Sequence, residues 1–521
     1  MTATSRKTLS FPQQRLRVPL APLRMRSLRR PATFRPADGH EVKFGYINYE
    51  TGYDTGQPPS SIYNTKVQNE IANARWTYAR PEDRWFNFDG NVYWTRTTTD
   101  QIKIDGPNSA VAGFIGDTRN FKLDTVGFDA HNTSRFDTGP VRNQVTVGAD
   151  AFRDQVDTMG FGTVFTPSGE RTVSGAFVQL KSNYSSWLEV VSAVRYDHYE
   201  LKGGGVTSEG SRVSPKITVG ITPAPWITPY FTYAEGYRAP AITETLVNGS
   251  HPVFPQFDLL PNPDLKPEVG KNKEVGVNIR FNNILKPGDA FRAKANVYRN
   301  DVDDFIEFTL VNFGQTGAGG FTCTAMLTLP FPPFPTFPGF CEQYQNIPHA
   351  RLEGLELESN YDAGDWFAGL NYSHVRGRNV DTGEPLAKIP PDFVMTTLGA
   401  RFLDRKVTVA VRWQAVAAKN LDQIPLSDGT PAVPVFPPTG SYNLVNLYAG
   451  YQPNPDILAS FTIENLLNEQ YSRYMTYFPN ASGTGFPNAF PQAGITFKGA
   501  LKVRFSDDLF KGVSNGLFKK G

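Results

Sequence analysis

The chain has 521 residues, of which 40% are hydrophobic and 20% are charged, and its formal net charge is +2. This near-neutral charge gives no support for a nucleic-acid partner, because polyanionic backbones favour strongly basic proteins. No run of about 18 apolar residues occurs, which excludes a spanning helix and leaves a soluble multidomain protein or a membrane β-barrel. Abundant Phe, Tyr, Gly and Pro favour all-β architecture, with many short strands and frequent turns.

The first 35 residues are basic. Arginine and lysine recur through 1–35, and no acidic residue interrupts them. A secretory signal needs an apolar core of roughly 7–15 residues before a small-residue cleavage site, and this segment has neither. We expect 1–35 to be an atypical, disordered leader on a chain whose true export signal is missing, and 36–505 to be the folded domain.

Several segments of the folded domain alternate between apolar and polar residues. In 406–414, Val407, Val409, Val411 and Trp413 fall on one face, and the polar residues fall mainly on the other. Segments 291–298 and 501–505 repeat this pattern. A period of two places one set of side chains against lipid or a core and the other towards water, which is typical of β-strands.

Short and long connections alternate between the predicted strands. We expect tight turns near 80–84, 137–142, 184–187, 224–226, 284–288, 362–365, 404–406 and 453–456. We expect long loops at 98–118, 155–169, 203–210, 237–271, 308–347, 376–390, 416–440 and 470–492. This alternation favours a transmembrane antiparallel β-barrel of the outer membrane, with short periplasmic turns and long external loops. A soluble sandwich has no reason to sort its loops by length in this way.

The turns predict about 18 strands. The first strand should begin near His40 and the last should end at Phe505, with both ends on the periplasmic side. Residues 506–521 would then form a short periplasmic tail.

Two cysteines, Cys323 and Cys341, flank a segment rich in Phe and Pro. In a reducing compartment they would be two thiols. In an oxidising compartment they could close a loop of about 19 residues, which stabilises the fold by roughly 3 kcal/mol in the chain-entropy estimate. We favour a disulfide that pins a long exposed loop.

One stretch, 236–268, carries a histidine between two motifs. The sequence YRAP (237–240) precedes His251, and NPDL (262–265) follows it. Imidazole is a common axial ligand of haem iron. The stretch resembles the signature of the TonB-dependent outer-membrane receptors for haem and haemoglobin, which is FRAP, a loop histidine and NPNL. Here Tyr237 replaces the Phe, and Asp264 replaces the second Asn.

Other segments are similar to the same receptors, namely 32–56, 131–139, 350–358 and 463–471. The resemblance implies an all-β outer-membrane barrel that transports haem as its ligand, has no intrinsic cofactor and takes TonB as its partner. The family typically has about 22 strands, preceded by a plug domain and a TonB box. Neither the plug nor the box is recognisable in this chain.

The resemblance assigns roles to individual residues. It implies that His251 is an axial ligand of haem iron; the alternative is an ordinary exposed histidine. Tyr237, Arg238 and Pro240 would frame the start of the loop. Tyr237 and Arg238 are also candidate haem-binding residues, the arginine through a haem propionate. Asn262, Pro263 and Leu265 would frame its end, since Asn-Pro pairs initiate turns. The Phe/Pro segment 331–340 could bind haemoglobin or pack over the barrel mouth.

Catalytic motifs of the common hydrolase, metalloprotease and phosphate-binding types are absent from the sequence, which predicts a protein that is not an enzyme. Three other functions remain open. They are a TonB-dependent receptor for a ferric siderophore, a passive porin-like channel, and a truncated receptor without function.

Overall fold

Antiparallel β-strands dominate the structure, a computed structural model that describes residues 24–56, 61–108, 113–161, 167–250, 257–328, 336–426, 434–478 and 488–504. The main sheet has 21 strands, of which two are short strands within one loop and 19 form the wall. The wall strands are β1 (Arg24–Phe34), β2 (His40–Thr55), β3 (Ile62–Ala79), β4 (Asn87–Asp105), β5 (Thr118–Thr138), β6 (Val141–Gly160), β7 (Gly169–Tyr184), β8 (Leu188–Gly203), β9 (Val206–Ile221), β10 (Ile227–Arg238), β13 (Glu268–Asn282), β14 (Ala290–Asn312), β17 (Phe340–Asp362), β18 (Trp366–Asn379), β19 (Phe393–Phe402), β20 (Val407–Val416), β21 (Tyr442–Asn454), β22 (Ile457–Glu464) and β25 (Thr496–Val503).

The remaining elements lie in the long connections. They are α1 (Ile242–Leu246), β11 (Gly249–Ser250), β12 (Asp258–Leu260), β15 (Met326–Thr328), β16 (Thr336–Pro338), β23 (Ser472–Phe478) and β24 (Asn488–Pro491). Strands β15 and β16 pair with each other, as do β23 and β24, outside the main sheet. No helix among the described residues is long and apolar enough to cross a membrane.

The predicted leader is wrong for part of its length. Residues 24–34 form β1, whose backbone pairs along its whole length with β2, from Arg24 opposite Gly52 to Phe34 opposite Val42. This pairing uses main-chain amides and carbonyls, which the charge-based interpretation of the segment did not consider. Among the described residues, the wall therefore begins at Arg24. Residues 1–23, Phe505 and the predicted tail lie outside the described residues.

The extra strand also changes the predicted count of about 18 to 19. Each wall strand pairs antiparallel with its neighbours in sequence, so an odd number of strands puts the start of β1 and the end of β25 at opposite ends of the wall. Among the described residues, His40 begins β2 at the same end of the wall as Val503, which ends β25, so these two ends lie on one side as predicted; only the start of the additional strand β1 lies at the opposite end. Among these residues, β1 and β25 are the edge strands, each paired on one side only.

All eight predicted tight turns join wall strands at the same end of the sheet, together with an unpredicted ninth turn at 35–39. One predicted long loop is wrong. Strands β8 and β9 are joined by Gly204 and Gly205 alone, both with positive φ (58° and 80°). Two consecutive residues with φ > 0 form the type I′ turn of a two-residue hairpin, which glycine adopts without strain. The strands therefore continue through most of the predicted loop 203–210.

An exposed apolar band runs around the wall, as expected of a barrel that spans a membrane. Its side chains alternate along each strand with partly buried polar ones. The band includes Val92, Val126, Phe128, Val147, Val178, Val194, Val213, Val275, Val297 and Leu398.

Aromatic and charged rows border this band. Exposed tryptophans cluster at the short-turn end: Trp76, Trp85, Trp187, Trp226 and Trp366. Tryptophan is enriched at the membrane–water interface. Towards the other end, β4 to β7 carry outward ion pairs, among them Arg96–Asp124 (2.6 Å) and Arg153–Glu170. The long connections and the buried clusters lie beyond these ion pairs.

Candidate functional site

The ends of the 239–267 connection are joined by an arginine. Arg238 is the last residue of β10, and it pairs in register with Glu268, the first residue of β13. Its guanidinium donates to Glu268 from Nε (2.6 Å) and Nη2 (2.9 Å), and from Nη1 to both oxygens of Glu244 (3.0 Å each). Glu268 also accepts the backbone N–H of Ile306 at 2.8 Å. Because both carboxylates already occupy the guanidinium, the structure gives no support to the alternative role of Arg238 as a propionate ligand.

Helix α1 packs the start of the connection against β7 and β8. Its first turn is capped by Glu244, whose carboxylate accepts the Ala241 N–H at 2.8 Å. On its inner face, Ile242 and Leu246 pack on Tyr199 and Leu201. Tyr237 and the Ala239 side chain join this cluster, and Pro240 O accepts a hydrogen bond from Arg171 Nη1 (3.2 Å). The YRAP residues therefore lie where the start of the connection packs against the barrel wall.

The NPDL residues hold the other end. Asn262 is buried, and its Nδ2 donates to Tyr344 O (2.7 Å), while its Oδ1 accepts the Asp264 N–H (3.1 Å). The backbone N–H of Asn262 donates to Thr245 O (3.0 Å), which ties this end to α1. Pro263 lies against Gly319, and Leu265 is buried.

The part of the connection that leads into the NPDL motif, residues 257–262, packs on β17 and is called the arm below. Strand β12 pairs in parallel with the start of β17, with Asp258 opposite Cys341 and Leu260 opposite Gln343. Cys341 and Cys323 form the predicted disulfide, with their Cα atoms 5.6 Å apart. Leu259 is buried in this arm.

Gln343 links this arm to a second connection, 313–339. Its side chain is fully buried, and its Nε2 donates to Pro261 O (2.8 Å) and Ala318 O (2.9 Å). Its Oε1 accepts the Ala318 N–H (2.9 Å) and Gln345 Nε2 (2.8 Å). The motifs gave no signal for Gln343, because its partners Pro261 and Ala318 are distant in sequence.

The predicted ligand His251 lies outside the described residues, in 251–256. Half of the Phe/Pro segment, 331–335, is also outside them. Two further histidines, His349 on β17 and His374 on β18, contact carboxylates: His349 Nδ1 lies 3.2 Å from Asp381, and His374 Nδ1 lies 2.7 Å from Asp392. In the described part of the chain, no three His, Cys, Asp or Glu side chains are grouped closely enough to hold a metal ion.

Burial and two neighbouring side chains determine the pKa of Asp392. Burial, the largest single effect, acts to raise the pKa of this carboxyl group. Hydrogen bonds from His374 and Arg376 (2.9 Å) outweigh it and lower the pKa. Asp392 is therefore an anion that holds both side chains at the rim.

A family model described as "TonB dependent receptor-like, beta-barrel" matches residues 24–466. Among curated proteins, "Heme/hemopexin utilization protein C" of Haemophilus influenzae is 26% identical over 465 residues, covering 86% of this chain and 59% of the relative. The "Hemin receptor" of Yersinia enterocolitica is 25% identical over 386 residues, covering 71% of this chain and 50% of the relative. The chain thus spans between 50% and 59% of the length of these relatives.

Solved structures share the fold. The hemophore receptor HasR of Serratia marcescens, solved in complex with its hemophore HasA and heme, superposes with a TM-score of 0.69 at 24% identity, covering 93% of this chain and 72% of that chain. The copper transporter OprC superposes with a TM-score of 0.68 at 17% identity, covering 91% of this chain and 71% of that chain. The match over 24–466 and the 19-stranded wall agree, and the chain belongs to the TonB-dependent receptor β-barrel family, whose members are outer-membrane receptors and transporters rather than enzymes.

Proposed function

We propose that this chain is the barrel of an outer-membrane haem receptor, which depends on TonB in its complete form. One observation carries the proposal. A single external connection, 239–267, has motifs similar to those of haem receptors at its two ends, and both ends are held by dense packing and ion pairs. Relatives named for heme/hemopexin utilisation and for hemin support the same cargo.

In this proposal the connection captures haem on the external side. The neutral imidazole of His251 donates its lone pair to ferric iron, and apolar side chains beside it cover the porphyrin. Arg238 acts through Glu244 and Glu268, which hold the ends of the connection, rather than by contact with haem. A haemoprotein such as haemoglobin is the proposed source of the haem. In the complete receptor, TonB would displace a plug so that haem passes through the lumen.

Haem titration of the purified chain tests the ligand. His251→Ala should weaken haem binding by about tenfold or more and alter the Soret shift, because losing a metal ligand costs at least as much as losing its supporting contacts. His349→Ala is the matched control, since His349 is another exposed external histidine. It should leave the titration unchanged. Equal behaviour of the wild type and His251→Ala would exclude His251 as the ligand.

A further inference from the structure

The 239–267 connection and the 313–339 connection are packed into one unit. Leu260 from the first lies in a buried cluster with Val311, Cys323, Ala325 and Cys341. Phe257 stacks on Phe340, with ring centroids 5.4 Å apart. The arm that follows His251 therefore rests directly on the disulfide rather than on the barrel wall alone.

The disulfide fixes the part of β17 that receives this arm. Both cysteines are fully buried, and Cys341 lies opposite Asp258 in the parallel ladder. On the other side, Cys323 exchanges backbone hydrogen bonds with the start of its own connection: its N–H donates to Gln315 O, and its carbonyl accepts from Gly314 N, at 2.9 Å each. Covalent closure thus holds 313–323 against β17, where Gln343 binds Ala318 and Pro261 together.

We propose that the Cys323–Cys341 disulfide and Gln343 are positioning elements for haem capture, which hold the arm 257–262 in the conformation that the haem-binding connection needs. This inference rests on the proposed function. The first end is fixed independently by Arg238 and α1. With the disulfide or Gln343 removed, the arm 257–262 has more conformations open to it, and only a fraction of them are competent for haem capture. Apparent affinity falls in proportion to that fraction.

The test uses the full chain in detergent, with the double variant Cys323→Ala/Cys341→Ala. We expect the haem dissociation constant to rise about tenfold, as when the competent fraction falls to a tenth. The spectrum of bound ferric haem should lose its histidine-ligated signature in proportion. Hydrogen exchange should accelerate in 258–262 and stay unchanged in β13 and β14.

Two further variants make the result specific. Gln343→Leu keeps the disulfide but removes the hydrogen bonds to Pro261 and Ala318. Like the double cysteine variant, it should weaken haem binding and accelerate hydrogen exchange in 258–262. Leu386→Ala is the control, because Leu386 is equally buried but packs with Val302, Ala350 and Ile389. It should leave the exchange of 258–262 unchanged.

The outcomes separate the two proposals. If the wild type binds haem and both the cysteine and Gln343 variants bind it equally well, the positioning role is overturned and the receptor function stands. If the wild type shows no saturable haem binding, the receptor function is overturned, and the haem role of the disulfide with it. Unchanged exchange in 258–262 would overturn the anchoring itself, whatever the haem result.

Discussion

Arg238 shows how one side chain can close a long excursion of the chain. Its planar guanidinium binds two carboxylates along different edges, and these carboxylates belong to the first helix and the next wall strand. A lysine ammonium has the same charge but lacks the fork geometry. The side chain is 44% exposed, so solvent screening keeps the net contribution of the ion pairs small.

Arg238→Lys should therefore lower the free energy of unfolding by about 1 kcal/mol, because the charge is retained but the bidentate geometry is lost. Equilibrium unfolding in phospholipid vesicles measures this change. Arg153→Lys is a suitable comparison, because Arg153 has Glu170 as its ion-pair partner and should lose less. A larger loss for Arg153→Lys than for Arg238→Lys would contradict the account.

The hydrogen bonds of Asp289 lead to a second prediction, which concerns the pH dependence of stability. It lies in a periplasmic turn, where its carboxylate accepts the N–H groups of Ile284, Leu285 and Lys286 and the hydroxyl of Tyr361 (2.6–2.9 Å). Burial is the largest single effect and acts to raise the pKa of Asp289, but these hydrogen bonds together lower it. The folded pKa thus lies below the unfolded value of about 3.9.

The sign of the pH effect follows from that depression. The stabilisation from Asp289 is fully present above about pH 4 and is lost as the pH falls towards the folded pKa. Asp289→Asn should lower stability at pH 7 and should reduce the further loss on acidification. Unfolding midpoints between pH 7 and pH 2 measure both. A variant with the same acid dependence as the wild type would count against this role.

At the scale of elements, helix α1 depends on glycine in the wall beneath it. A Cβ on Gly203 would overlap Leu246 Cδ1 and lie 2.9 Å from Ser168 O. Gly169 offers a similar surface, with Ile242 and Leu246 both 3.1 Å from its ideal Cβ. The helix therefore packs on the ends of β7 and β8 because these two positions have no side chains.

Gly203→Ala should displace α1. The amides of Thr245 and Val247, which donate within the helix, should exchange with solvent several-fold faster. Gly220→Ala is the matched control, because its Cβ would meet Thr228 Cγ2 at an ordinary 3.7 Å. Equal protection of Thr245 and Val247 in both variants would show that the helix does not need the glycine surface.

The elements differ in how far their sequence predicts them. Alternating strands and tight turns were predictable, because both depend on residues close in sequence. The hairpin at 204–205 was mistaken for a loop, although consecutive glycines are a signal for a type I′ turn. The parallel pairing of β12 with β17 was not predictable, since it joins segments about eighty residues apart with no shared local pattern. The motifs predicted where the connection is rooted, but not Gln343 or the glutamates that bind Arg238.

At the scale of the whole molecule, the membrane determines which residues face outwards. Apolar side chains cover the outer face between the tryptophan row and the ion pairs, and polar side chains line the other face of the same strands. Adjacent positions on one strand therefore face the lipid and the polar interior of the barrel in turn. The connections beyond the ion pairs remain available for capture of a ligand.

Val178 and Gln179, neighbours on β7, allow this arrangement to be tested. Val178→Lys places a charge on the exposed apolar face, and it should destabilise the barrel by about 2–4 kcal/mol if it lies near the bilayer midplane. Gln179→Lys places the same charge on the opposite face, and its effect should stay within about 1 kcal/mol. Equilibrium unfolding in vesicles compares them, and equal losses would contradict the assignment of the faces.

The cargo is the central claim, and a parallel titration of the purified chain with haem and with a ferric siderophore tests it most directly. Quenching of tryptophan fluorescence reports both ligands on the same sample. We predict that haem quenches to saturation at one haem per chain, and that the ferric siderophore neither quenches saturably nor displaces haem. Saturable binding of the ferric siderophore without saturable binding of haem would contradict the proposed function.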